Sequence, residues 1–105
     1  MEIIGAEKLD EFAQKHPNAR SALNRWYNLI EQGSFKSLED LRAMFQRASP
    51  VKVPAEDFGQ PGEEITSTVF NIGGNKARLT AFVQYKVQRV IILKVETHAE
   101  YSKRR

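Results

Sequence analysis

The chain has 105 residues, 41% of them hydrophobic and 28% charged, with a formal net charge of +3. That length makes a single domain, residues 1–105, able to bury a modest core. The absence of cysteine excludes a disulfide scaffold, a thiolate nucleophile and a Cys-ligated zinc site.

Glu2–Ile4 is short and β-prone. The opening stretch MEIIGAEKLDEF carries charges from its second residue and no long apolar run, so no signal peptide is expected. Nothing in the chain approaches the roughly 18 apolar residues of a membrane span. The expectation is a cytoplasmic protein with no membrane partner.

Across Lys8–Lys15, the recurrence of Leu9, Phe12 and Ala13 at i, i+3, i+4 predicts an amphipathic helix. His16-Pro17 interrupts it, because the residue before a proline avoids the helical region. Asn18 can cap a second helix, in which Ala22, Leu23, Trp26 and Ile30 form one stripe and which Gly33 stops. Ser37-Leu38-Glu39-Asp40 announces a third helix, with Leu38, Leu41, Met44 and Phe45 on its buried face. Pro50 ends it. Residues 55–64, AEDFGQPGEE, have no periodicity and hold two glycines, a proline and four acids. They read as a mobile loop, or as an acidic strap over the basic part of the chain.

From Ile65 the period changes to two. Ile65–Ile72 is a strand and Gly73-Gly74-Asn75 a turn. In Lys76–Tyr85, Ala77, Leu79, Ala81 and Val83 alternate with Lys76, Arg78, Thr80, Phe82 and Gln84. Lys86–Gln88 makes a second turn. In Arg89–Val95 the run Val90-Ile91-Ile92-Leu93 reads as buried on both faces, hence central. The fold class is α+β, with N-terminal helices packed on a small antiparallel sheet.

Charge is unevenly distributed. Residues 1–68 carry eight basic and eleven acidic side chains, a balance of −3; residues 69–105 carry eight against two, a balance of +6. A basic, strand-rich half that includes Lys76, Arg89 and Lys94 suits a polyanion such as RNA or DNA. Strand lysines and arginines that only resist aggregation are the plainer alternative.

Thr97-His98-Ala99-Glu100 fits the capping box, so the chain's end is expected to be a capped helical turn. His98 and Tyr101 stand three residues apart and share a face. The positive end of the helix favours a neutral imidazole, which can accept a proton. Both residues could instead simply pack. If residues 96–100 stayed extended, Glu96, His98 and Glu100 would point to one face and could hold a divalent metal. Arg78 can fork onto phosphate oxygens or be a surface strand arginine. Gly73-Gly74-Asn75 is a hairpin turn or a backbone nest for phosphate.

WYNLIEQGSFKSLEDLRAMF, then VFNIGGNKARL, then VETHAEYSK together resemble the HigB-type toxins of bacterial type II toxin–antitoxin modules, within the wider RelE-like group. The resemblance spans nearly the whole chain. It departs from the family at Ala77, where an aromatic residue is common, and at Ser102, where aspartate is common. It implies a compact endoribonuclease that cuts mRNA, typically on the ribosome, and a helix-turn-helix antitoxin partner of the HigA type. Such cleavage needs no cofactor or metal. A base takes the 2′-hydroxyl proton, cations stabilise the phosphorane charge, and an acid protonates the leaving 5′-oxygen. With the resemblance, Arg78, His98, Tyr101 and Lys103 are the candidate catalytic residues, and Asn75, Lys76, Arg89, Lys94 and Arg104 are candidates for RNA binding. The competing function is a non-catalytic RNA- or protein-binding module related to such toxins.

Overall fold

The computed structural model describes residues 1–54, 62 and 64–103. Nine main elements follow in chain order: β1 (Glu2–Ile4), α1 (Glu7–Lys15), α2 (Arg20–Gln32), α3 (Leu38–Met44), β2 (Ser49–Pro54), β3 (Glu64–Ile72), β4 (Ala77–Gln84), β5 (Arg89–Glu96) and α4 (His98–Lys103). The five strands form one sheet in the order β1-β5-β4-β3-β2. The class is α+β, as the pattern predicts. The sheet is mixed rather than wholly antiparallel, because β1 lies parallel to β5, with Ile3 opposite Val90. The expected loop 55–64 lies outside the described residues, except for Gly62 and for Glu64, which opens β3.

Three local expectations are corrected. Asn18 caps nothing: Pro17–Ala19 forms a 3-10 turn that feeds α2 directly, and no side chain caps either element. Proline's fixed φ suits the first position of such a turn. The third helix stops at Met44, before Pro50, and Ser49–Pro54 is a strand. As β2 it is a sheet edge, which is where a strand tolerates proline. On α3 only Leu41 is buried, while Met44 is 48% exposed. The Ser37 cap is as expected, its hydroxyl accepting from the Asp40 N–H at 3.3 Å.

The helices cover one face of the sheet. Leu23, Trp26 and Ile30 of α2 and Leu9, Phe12 and Ala13 of α1 join Phe70, Ile72, Leu79, Ala81, Val90 and Ile92 in one core. Trp26 and Phe45 both meet Phe70 edge-on, at centroid distances of 5.4 and 5.3 Å, the favoured geometry for aromatic pairs. The α-ammonium of Met1 donates to the carbonyls of Ile30, Glu31 and Gly33, a cation at the negative end of α2. Gln88, at φ +55°, donates from its amide to the carbonyls of Phe35 and Tyr85, each at 2.7 Å, and its amide oxygen accepts from the Phe35 N–H. One side chain thus ties the β4–β5 turn to the segment before α3.

Strand β5 does not alternate simply. Ala81 faces Ile92, but Thr80 faces Lys94, so Leu93 is an extra residue in a β-bulge. Before the bulge Val90 and Ile92 point into the core. After it Val95 takes the core side, opposite Leu79, while Lys94 and Glu96 pass to the other face, opposite Thr80 and Arg78. The apolar run 90–93 conceals this switch.

Candidate active site

The face of the sheet away from α1 and α2 bears a groove of about 470 Å³. Strand β2 lines it along its length, and Thr80, Lys94, Glu96 and Tyr101 line the rest. Alternation on β4 and the bulge in β5 put Thr80, Lys94 and Glu96 there. Tyr101 arrives on α4, whose start is fixed by a complete capping box. The Thr97 N–H donates to Glu100 Oε1 at 2.9 Å, and the Glu100 N–H donates to Thr97 Oγ1 at 3.0 Å. The expected helical turn is therefore present. The Glu100 carboxyl is held below its ordinary value, first by the Thr97 backbone N–H and then by the Thr97 hydroxyl, with His16 and Lys15 adding a positive field. The helix also removes the extended metal alternative, because His98 and Glu100 stand two apart on α4 and do not share a face.

Arg78 is buried, at 7% exposure. Its Nη1 donates to the carbonyls of Gly74 and Ala77 at 2.9 and 3.1 Å, and its Nη2 donates to Asn75 Oδ1 at 3.1 Å. The guanidinium therefore braces the Gly73–Lys76 turn. There Gly73 and Gly74 have φ of +57° and +71°, values that favour glycine. Asn75 and Arg78 are brought together, and Lys76 is exposed beside them. Across the sheet Arg78 is the register partner of Glu96, which puts their Cβ atoms about 5 Å apart.

The other candidates scatter. His98 is exposed at the first position of α4 and does not line the groove. Lys103 is exposed in the last turn of that helix. Arg89 pairs with Glu2 at 2.8 Å at the opposite end of β5, about 23 Å of strand from Glu96. Arg104 lies outside the described residues. Sequence reasoning missed the β2 wall, with Lys52, and it missed Thr80 and Glu96 as groove residues. Thr80 was visible as the alternation partner of Arg78. Glu96 was hidden by the bulge.

Helices α1 and α2 on one face of a mixed sheet, and on the other a polar groove closed by α4, define a small α+β class, and comparison with known proteins names it. Residues 19–104 match the family described as HigB toxin, RelE-like toxic component of a toxin–antitoxin system. The chain is 33% identical over 102 residues, 97% of its length and 88% of the relative's, to the mRNA interferase toxin HigB of Escherichia coli K12. It matches the mRNA interferase HigB of Shigella flexneri to the same extent. It is 28% identical over 103 residues, 98% of its length and 90% of the relative's, to the mRNA interferase HigB of Escherichia coli O6:H1. The chain belongs to the HigB toxin family.

Proposed function

We propose that this toxin is an endoribonuclease that cuts mRNA on the ribosome and is held inactive by a HigA-like helix-turn-helix antitoxin. The observation that carries the reading is the groove on the face of the sheet away from α1 and α2. Lys94 and Tyr101 line it together with Lys52 on the β2 side. RNA cleavage through the 2′-hydroxyl requires cations for the added phosphorane charge and a proton for the leaving 5′-oxygen. Lys94 supplies the charge inside the groove and Tyr101 the proton. Arg78 acts by holding the hairpin and Asn75 in shape while adding its charge to the local field. Lys76, Lys103 and His98 meet RNA outside the groove, and Arg104 adds charge at the chain's end. No step calls for a metal.

The test is growth arrest on expression, with primer extension to find cut sites and circular dichroism to confirm folding. Tyr101→Phe and Lys94→Ala should each lower cutting by about 10²-fold or more. Cutting in a translating extract held at constant free Mg²⁺ should survive a chelator that takes transition metals only. Parental cutting by both folded variants would remove this groove from the mechanism.

A further inference from the structure

Cleavage through the 2′-hydroxyl needs a group to receive its proton, and His98 stands outside the groove. Glu96 is inside it. It is 9% exposed, at the end of β5, and it lines the groove together with Lys94 and Tyr101. A buried carboxylate beside the cations Arg78 and Lys94 is held ionised by them, which is the state in which it can take a proton. The bulge at Leu93 is what turns Glu96 toward the groove instead of the core.

We propose that Glu96 is the general base of RNA cleavage; this rests on the ribonuclease reading above. Its carboxylate takes the proton of the attacking 2′-hydroxyl. The 2′-oxygen bonds to the adjacent phosphorus, and the bond from phosphorus to the 5′-oxygen breaks. Tyr101 gives its phenolic proton to that leaving oxygen. The products are a 2′,3′-cyclic phosphate and a free 5′-hydroxyl, with one proton moved from substrate to Glu96 and one from Tyr101 to product. The base and the acid come from different elements, β5 and α4. The charged and titratable groups that face Glu96 are Arg78 across the ladder, and Lys94 on its own strand, Lys52 on β2 and Tyr101 on α4, which share its groove.

The test is single-turnover cleavage of a defined mRNA in a purified translation system, followed against pH. Glu96→Gln preserves size and keeps one acceptor oxygen but cannot take a proton. It should slow cleavage by about 10²–10⁴-fold, leave RNA binding at least as tight, and abolish the acid-side fall of the pH–rate profile. Glu96→Asp should be slow but keep that fall. A substrate with sulfur in place of the bridging 5′-oxygen needs no acid to leave, so it should rescue Tyr101→Phe and not Glu96→Gln. Glu96→Gln at the parental rate, or slowed equally at every pH, or rescued by the sulfur substrate, overturns the assignment. So does an unchanged rate with altered choice of cut site, which would make Glu96 a reader of base edges. If the unmodified toxin cuts no RNA, the failure belongs to the ribonuclease reading instead.

Discussion

Arg78 and Gln88 do comparable work at two hairpins, and each can be tested alone. Arg78 gives three hydrogen bonds to the β3–β4 turn. A hydrogen bond from a charged group contributes about 1.5–3 kcal/mol, so Arg78→Ala should lower the unfolding midpoint in urea clearly as well as lowering cutting. Arg78→Lys keeps the charge but loses the fork, and it should recover only part of the stability. Undiminished stability in Arg78→Ala would mean that the turn does not need the guanidinium. Gln88→Ala removes the clamp on Phe35 and Tyr85 and should cost about 1–3 kcal/mol, read from the same curves, with cutting retained. His98 and Tyr101 should also separate. His98 is exposed and Tyr101 lines the groove, so His98→Ala should reduce cutting less than Tyr101→Phe.

Helix α4 is only six residues long, so its cap sets its order. Thr97→Ala should destabilise it by about 1 kcal/mol, seen as faster amide exchange in 98–103. The cap also responds to pH. The Glu100 carboxyl is depressed from 4.5, chiefly by the Thr97 N–H. Its contribution is therefore full above 4.5 and is lost as pH falls through the lower folded value. Exchange protection in α4 should decay in that acidic window, while Glu100→Gln shows no such decay. Pattern alone made this element legible, because T-x-x-E names both partners of the cap. It also revealed α1, α2 and the β3–β4 hairpin. It failed at β2, because Pro50 read as a helix stop rather than as part of an edge strand. It read the wrong start for α2, because Pro17 begins a turn that needs no side-chain cap. For the site, alternation put Arg78 on the groove face correctly. Alternation fixes the face of a strand residue but not its rotamer, so it could not reveal the guanidinium turned back to the carbonyls of its own hairpin.

Across the whole molecule, the +6 balance of the C-terminal third is not one continuous surface. Arg89 sits at the far end of the sheet, paired with Glu2, and an exposed pair of that kind is worth about 0–1 kcal/mol. Lys94 is in the groove. A cation that neutralises a phosphate releases a counterion, so removing it reduces the salt dependence of binding. Lys94→Glu should therefore weaken RNA or ribosome binding and flatten its salt slope, whereas Arg89→Glu should change both little. Equal losses would spread the binding surface over the whole sheet. Among the described residues no helix is long and apolar enough to cross a membrane.

The extra residue at Leu93 gives strand β5 a change of parity. Up to Ile92 even-numbered side chains belong to the core; beyond it odd-numbered ones do. If the bulge dissolved and the strand slid by one, Leu93 would face Thr80, and Lys94 would be driven among Leu79 and its neighbours. Burying that ammonium is costly, so the charges of Lys94 and Glu96 act as a detent that holds the second half of the strand in phase. Making both of them leucine should let the strand occupy two phases, visible as doubled amide resonances in 93–96.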